Sequence, residues 1–224
     1  MQKNIIRIRL FEEIYRNIPT KMTVINASEI TFGEKDKDGY VSTRLNGNIG
    51  RFQIGTKEDP LRAPFGVSEP VGGGQAKRKT MDLELDGDLA AQLQAIDERV
   101  VAEAIKRPNE FFGKKMDEAA VRAMFQPIVT TKEGYKPTVR TKVKMESDKA
   151  PTVVRVITGE TKFRRGTAED VTKGSKVMAI VKLDSVWFAS KMFGVSLSVD
   201  ELVVWPAIGT GLSAFTGMEG FEEE

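Results

Sequence analysis

Basic residues alternate with other residues along one segment, from Tyr135 to Met145. Because successive side chains of a β-strand point to opposite faces, a strand here places a ridge of bases on one face: Lys136, Arg140, Lys142 and Lys144. The residues that can face a core are Tyr135, Val139, Val143 and Met145. Bases two residues apart lie about 7 Å from each other, roughly the phosphate spacing of an extended single strand. No acid interrupts the segment, which favours an anion-binding face over a solvated face of mixed charge.

Aromatic residues beside bases form a second pattern. Phe163 is flanked by Lys162, Arg164 and Arg165, and Trp187 ends another predicted strand. An exposed ring is a stacking platform worth about 1–3 kcal/mol per nucleobase, while neighbouring cations hold the phosphate backbone. Each aromatic can instead anchor the core, and the three flanking bases make Phe163 the better candidate for exposure.

A glycine-rich loop, residues 71–75, precedes the basic residues Lys77 and Arg78. It lacks the Gly-Lys-Ser/Thr ending of a phosphate-binding loop, so it either closes over a nucleic acid or is a plain linker. The nucleic-acid-binding candidates are Arg62, Lys77, Arg78, Tyr135, Arg140, Lys142, Lys144, Lys162, Phe163, Arg164, Arg165 and Trp187.

Carboxylates alternate at Asp82, Glu84 and Asp86. The spacing resembles the start of a calcium-binding loop, but the twelfth position is Leu93 instead of glutamate, so that motif fails. Magnesium held by these carboxylates would support phosphodiester hydrolysis, which makes a nuclease the alternative function. The simpler interpretation is a solvated strand face followed by a helix cap.

The C-terminus is acidic. The last seven residues contain four glutamates and no base, which leaves a charge of +6 for the rest of a chain whose net charge is +2. Such a segment binds a basic groove of a partner protein, competes with nucleic acid for the chain's own basic face, or only aids solubility. The partner-binding candidates are Glu219, Phe221, Glu222, Glu223 and Glu224. A third hypothesis makes this terminus the active part of a protein-interaction module.

The chain has 224 residues, with no cysteine and no histidine. Serine–histidine triads, thiolate nucleophiles and cysteine- or histidine-ligated metals are therefore excluded. We expect a protein that is not an enzyme and that uses no cofactor or metal. No stretch approaches the roughly 18 apolar residues that span a bilayer, and no secretory signal is apparent. These features favour an intracellular protein.

Hydrophobic periodicity predicts strands, then two helices, then strands. Strands are expected at 23–34, 40–45, 51–54 and 80–85, the first three as an antiparallel meander. Helices are expected over 89–105 and 116–125, and further strands over 135–145, 152–157, 176–188 and 195–205. The predicted fold is mainly β, an OB-fold-like antiparallel barrel with an inserted pair of helices. The domain covers 1–206, with the helical insertion at about 88–126, and 207–224 form a flexible linker and acidic tail.

Several blocks resemble the single-stranded DNA-binding proteins of phages and large DNA viruses. The blocks follow the family's order across residues 60–205, and they are Arg62–Ser68, Met81–Leu85, Phe111–Lys115, Tyr135–Val143 and Val186–Val195. The resemblance implies an OB-fold that coats single-stranded DNA without sequence preference, in replication, recombination or repair. It also implies an acidic tail that contacts polymerase or helicase, frequently a homodimer, and a virus-encoded protein at replication sites in a host cell. It supplies no catalytic residues.

Overall fold

The structure, a computed structural model, describes residues 24–68, 79–144, 148, 150–159 and 162–207. In this part of the chain the strands are β1 (Ile30–Lys35), β2 (Val41–Leu45), β3 (Arg51–Ile54), β4 (Leu61–Ala63), β5 (Val67–Ser68), β6 (Lys79–Glu84), β7 (Phe125–Gln126), β8 (Val129–Thr130), β9 (Thr138–Val143), β10 (Val153–Ile157), β11 (Phe163–Gly166), β12 (Ser175–Leu183), β13 (Trp187–Ala189), β14 (Met192–Gly194) and β15 (Leu197–Trp205). The α-helices are α1 (Gly87–Lys106), α2 (Pro108–Phe112) and α3 (Glu118–Met124).

Strand pairing closes into a barrel. The segment that contains β3, β4 and β5 acts as one bent strand, since β3 and β4 pair with β12 and β5 pairs with β6, all antiparallel. The ring continues through β6 with β9, antiparallel, and β9 with β15, parallel. It closes through the antiparallel pair of β15 and β12. The resulting five-membered ring has the strand order of an OB-type barrel. The predicted mainly β, OB-like fold class is confirmed, although β15 pairs in parallel with both β9 and β10.

Alternation along the barrel strands fills the core. On β6, Met81 and Leu83 are buried, and on β9 Val139, Thr141 and Val143 are buried, while the residues that alternate with them are exposed or half-buried. Their methyl and methylene groups leave water together, which fixes which face of each strand points inward. The charged residues Asp82, Glu84, Arg140 and Lys142 therefore lie on the outer face of the barrel, whereas the buried Thr141 donates its hydroxyl hydrogen to the carbonyl of Met81.

The helical insertion connects β6 to β9. Apolar side chains spaced three or four residues apart on α1 are buried, among them Leu89, Leu93 and Ile96, because they share one face of the helix. The Asp86 carboxylate accepts a hydrogen bond from the backbone N–H of Leu89 and caps the helix. The insertion contains three helices instead of the predicted pair, since Pro108 does not only end α1 but also starts α2.

Two strand predictions were wrong. The expected meander of three strands forms only in part, because β1 pairs with β2 whereas β3 pairs with β12. The expected single strand over 176–188 ends at Leu183. After it, the backbone N–H of Asp184 bonds to the carbonyl of Ser196, and Val186 pairs with Val41. The chain thereby leaves the barrel, and β13 joins β14 and β7 in a separate three-stranded sheet.

The hairpin of β10 and β11 extends the barrel sheet beyond β15. The sequence did not predict β11. The predicted acidic tail and most of its linker lie outside the described residues, as do Lys77 and Arg78, and the proposed domain limits stay predictions. No helix in the described part of the chain is long and apolar enough to cross a membrane.

Candidate nucleic-acid interface

A cleft of about 620 Å³ opens at one end of the β10–β11 hairpin, and we call it the large cleft. Phe163 and Arg165 line it from β11, where their spacing of two residues places them on one face. Arg155 is directly opposite Arg165 on β10 and also lines the cleft. Lys144, which follows β9, completes the set of cations. The large cleft thus combines one half-buried aromatic ring with three basic side chains.

A smaller cleft of about 340 Å³ adjoins it, and we call it the small cleft. Lys142, Lys144 and Lys182 line it together with Asp184. Because Lys144 lines both clefts, the two lie next to each other on the outside of the barrel. Three of the predicted bases and Phe163 therefore meet here: Lys142, Lys144 and Arg165.

Strand register explains why these cations converge. Lys142 on β9 is opposite Ser198 on β15, which is opposite Lys182 on β12, which is opposite Arg51 on β3. Adjacent strands are about 4.8 Å apart, so this row places three cations within roughly 15 Å of each other. Sequence reasoning missed Lys182 and Arg51, because only the pairing of distant strands brings them beside Lys142.

Two carboxylates are each shared by two of these cations. Asp200 accepts from Lys144 Nζ at 2.5 Å and from Arg51 Nε at 2.6 Å. Asp184 lies 3.8 Å from Lys142 Nζ and 3.9 Å from Lys182 Nζ. Burial acts to raise the pKa of Asp200, but the hydrogen bonds from Lys144 and Arg51 outweigh it and lower that pKa. Asp148 also lines the small cleft, so the four cations and three carboxylates together keep a positive charge.

The outer face of β9 is not the unpaired ridge that the sequence suggested. Arg140 donates from Nε and Nη2 to the two oxygens of Asp82, at 2.8 and 2.9 Å. Asp82 is directly opposite Arg140 on β6, and this hydrogen bond raises the pKa of Arg140. The acids that pair with the bases of β9 come from neighbouring strands, where the sequence of β9 alone could not reveal them.

The basic run beside Phe163 divides between two faces. Arg164 points away from Phe163 and Arg165, because neighbouring residues of a strand alternate, and it forms an ion pair with Asp170. That hydrogen bond raises the pKa of Arg164 and lowers the pKa of Asp170. Lys162 is exposed at the turn of the hairpin and does not line the two clefts. Of this run, only Phe163 and Arg165 contribute to the clefts.

Tyr135 and Arg62 lie elsewhere. Tyr135 precedes β9, at the end opposite Lys144; it is 72% exposed instead of core-facing, and Lys132 Nζ lies 5.2 Å from its ring. Arg62 Nη1 donates to Glu84 at 2.7 Å. Neither residue lines the clefts.

Trp187 belongs to the hairpin of β13 and β14, which packs on the helical insertion. Its ring covers Gly194, where a Cβ atom would lie 3.0 Å from the ring. The ring of the neighbouring Phe188 contacts the Phe111 ring edge to face and stacks on the Phe193 ring. Phe193 is thus a buried core anchor, while Phe188 and Trp187 are both half-buried and Phe188 packs against the core.

The carboxylates considered for magnesium have separate roles. Asp82 pairs with Arg140, Glu84 pairs with Arg62, and Asp86 caps α1. Within the described ranges, no group of three or more acids is arranged to hold a metal ion.

Comparison with known protein families adds one assignment. A family model described as a family of unknown function, DUF5871, matches residues 74–207, more than half of the chain. The chain belongs to this family. The DUF5871 match includes β6, the helical insertion and every strand from β7 to β15. No curated protein matches the chain.

Among solved structures, the DUF5871 chain is similar to two phage proteins. The single-stranded DNA-binding protein of bacteriophage Enc34, in complex with single-stranded DNA, is 12% identical, with a TM-score of 0.43; the match covers 77% of this chain and 94% of that chain. The single-stranded DNA-binding protein gp2.5 of bacteriophage T7 is 16% identical, with a TM-score of 0.44 and coverage of 73% and 94%.

Proposed function

We propose that this protein binds single-stranded DNA without sequence preference. The observation that supports the proposal is the convergence of basic side chains and the Phe163 ring on the two adjoining clefts. The cations are Lys142, Lys144, Arg155, Arg165 and Lys182. Cations that follow a backbone, together with a ring on which any base can stack, are the features of sequence-tolerant single-strand binding.

The location of the cleft lysines on the barrel supports the same proposal. β6 and β9 are the second and third strands of the barrel ring, and in OB-folds the face of these strands binds oligonucleotides. Lys142 lies on β9 and Lys144 directly follows it, and residues 69–78 connect β5 to β6 in the sequence. Lys77 and Arg78 in that connection remain candidates for contacting the same DNA strand.

The shared carboxylates suggest how phosphate enters. Asp184 and Asp200 hold the cations in position before the ligand arrives. Little side-chain conformational entropy is therefore lost on binding. Partly exposed ion pairs contribute only about 0–1 kcal/mol each, and a phosphate can replace a carboxylate on the same ammonium group at small cost. The ion pairs thus orient the cations without blocking them.

Partner recruitment and biological role form the outer part of the proposal. We propose that the acidic segment with Glu219, Phe221 and Glu222–Glu224 recruits replication proteins such as polymerase or helicase, with Phe221 filling an apolar pocket of the partner. The protein would act in replication, recombination or repair, as a virus-encoded protein within a host cell and as a homodimer. The charge pattern and the resemblance of the sequence blocks support this part.

Equilibrium binding measurements test the proposal. Labelled single-stranded DNA, duplex DNA and RNA are titrated with the intact chain at several salt concentrations, and binding to single-stranded DNA should weaken steeply with salt through counterion release. Lys142→Gln with Lys144→Gln should reduce the magnitude of the slope by about 1.4. The matched control is Lys114→Gln with Lys115→Gln, two exposed lysines of the helical insertion.

Absence of binding to single-stranded DNA at low salt would overturn the proposal and favour the protein-interaction module. The same mixtures incubated with magnesium test the nuclease alternative, which predicts cleavage that is lost in Asp82→Ala.

A further inference from the structure

We infer that Phe65, with Lys173 and Lys176, forms a second contact for the same DNA strand, outside the two clefts. This inference rests on the proposed function and extends the path of the ligand. The chemical class of the ligand at this contact is an unpaired nucleotide, with its base on the Phe65 ring and its phosphates on the two lysines.

The Phe65 side chain is exposed on a rigid turn. It is 65% exposed, and among the described residues no aromatic ring or cation contacts it. The turn is fixed on both sides, because the carbonyl of Ala63 accepts from the N–H groups of Gly66 and Gly174, and the N–H of Val67 donates to the carbonyl of Val171. Burial of the Phe65 ring in the core therefore does not explain this turn.

Gly66 shows how tightly this turn is held. Its φ is +70°, and a Cβ atom here would lie 2.5 Å from the carbonyl oxygen of Val171 and 3.0 Å from the backbone nitrogen of Lys173. Only glycine fits this backbone without strain. The close approach also fixes Lys173 next to the turn that presents Phe65. The stacking surface is therefore ordered before any ligand binds, which reduces the entropy lost on binding.

The cations around Phe65 differ from those of the clefts. Lys173 and Lys176 are exposed, and neither forms an ion pair with the described residues. Lys176 is flanked on the sheet by Arg62 of β4 and by Trp205 of β15, which are its direct register partners. Two exposed lysines on the segments that pack against this turn, together with an exposed ring, are the groups that a stacked nucleotide and its phosphates require.

A continuous face of the sheet connects this contact with the large cleft. On β11, Phe163 is opposite Ile157 of β10. Val156 of β10 pairs in parallel with Val204 of β15. The next residues along these two strands, Ile157 and Trp205, therefore lie beside each other. Trp205 is in turn opposite Lys176. Four strands separated by about 4.8 Å cover roughly 15 Å, which an extended strand of a few nucleotides can span.

The test compares oligonucleotides of two lengths with the full chain. A thymidine oligomer of about 20 nucleotides should reach both contacts, and one of about two, whose phosphates span only ~7 Å, cannot bridge the roughly 15 Å between them and should occupy the clefts alone. Phe65→Ala should weaken binding of the long oligomer by about 5- to 100-fold, the equivalent of one lost stacking contact, and should leave the short oligomer unaffected. Phe65→Trp should retain the affinity.

Charge is tested separately. Lys173→Gln with Lys176→Gln should reduce the magnitude of the salt slope for the long oligomer by about 1.4, the value expected for two phosphates. The control pair Lys114→Gln and Lys115→Gln should leave it unchanged. If Phe65→Ala binds the long oligomer as tightly as the unchanged protein, the second contact is overturned while the proposed function stands. The same holds if the variant keeps its DNA affinity and loses only the binding of an acidic protein to this surface. If the unchanged protein binds neither oligomer, the proposed function itself fails.

Discussion

Arg140 and Asp82 form a two-pronged ion pair from directly opposite positions on β9 and β6, with N–O distances of 2.8 and 2.9 Å. The Arg140 side chain is still 69% exposed, so phosphate can reach the guanidinium from solvent. Asp82 therefore competes with a phosphate for a cation that both can contact.

Neutralising Asp82 should strengthen DNA binding. Asp82→Asn leaves Arg140 without its carboxylate, and one more phosphate contact should make the salt slope steeper by about 0.7. Arg140→Gln should change affinity and slope in the opposite direction. Fluorescence anisotropy over a range of salt concentrations measures both. Weaker binding by Asp82→Asn would show that the intact pair, and not the free guanidinium, contacts DNA.

Asp200→Asn should separate stability from binding. Burial acts to raise the pKa of Asp200, but Lys144 and Arg51 lower it below its ordinary value of 3.8, so its charge stabilises the fold above that pH and loses this effect as pH falls below it. At pH 7 the variant should lose about 1 kcal/mol of unfolding free energy in urea. It should also bind single-stranded DNA more tightly. The opposite sign for DNA affinity would mean that Asp200 is needed to orient Lys144.

Phe163 and Tyr135 should differ as stacking residues. Phe163 lines the large cleft with Arg165, whereas Tyr135 is exposed beyond the other end of β9. Phe163→Ala should cost about 1–3 kcal/mol of binding free energy, and Phe163→Trp should restore it. Tyr135→Ala should cost less with a short oligonucleotide. Equal losses of binding free energy in the two alanine variants would mean that the DNA strand runs along β9 instead of into the large cleft.

The buried carboxyl group of Asp97 should make the stability of the fold depend on pH. It is 5% exposed on α1, and both of its oxygens accept from the backbone N–H of Ile128, at 3.2 and 3.1 Å. Burial raises the pKa of Asp97 to about 7 from 3.8, despite these hydrogen bonds. The folded state therefore holds a proton that the unfolded state releases between these values, and stability falls as pH rises from about 4 to 7.

Asp97→Asn retains an acceptor for Ile128 and removes the titration. It should raise the unfolding free energy at pH 8 by about 1–3 kcal/mol, within the limit of ~4 kcal/mol that the pKa change allows, and should change it little at pH 4. Urea unfolding at the two pH values gives the comparison. An equal effect at both pH values would mean that the side-chain charge is not the cause.

Gly194 should tolerate no side chain. A Cβ atom there would lie 2.7 Å from the carbonyl oxygen of Gln126 and 3.0 Å from the Trp187 ring. Gly194→Ala should therefore lower the unfolding free energy by about 1–3 kcal/mol and shift Trp187 fluorescence. Gly87→Ala is the matched control, since no atom lies within 4 Å of its Cβ position and alanine favours the helix. Similar destabilisation by both substitutions would contradict the packing of Trp187 on Gly194.

Local patterns predicted the elements that depend on local spacing. Leu89, Leu93 and Ile96 indicated α1, and Asp86 or Asp88 was the expected cap, of which the structure shows Asp86, because helix periodicity and capping involve residues a few positions apart. The alternation on β9 likewise predicted that Val139 and Val143 are buried and Arg140 exposed. These features do not depend on which distant strand lies alongside.

Pairings between distant segments could not be predicted in the same way. The break after Leu183 depends on Ser196 and Val41, and the partners of Lys142 and Lys144 are acids 42 and 56 residues further along the chain. Arg164 and Arg165 are neighbours in sequence, but strand alternation sends only Arg165 into the large cleft. The candidate site was therefore found in part: its central cations were predicted, and the carboxylates that hold them were not.

The sharing of Asp184 and Asp200 by four cations also bears on the length of ligand that the clefts select. A mononucleotide offers one phosphate, which can displace one carboxylate and gains little beyond the ion pairs it breaks. A polymer presents successive phosphates to all four cations in a single event, and the later exchanges are intramolecular. Mononucleotides and inorganic phosphate should thus be poor competitors of the proposed binding of single-stranded DNA to the clefts.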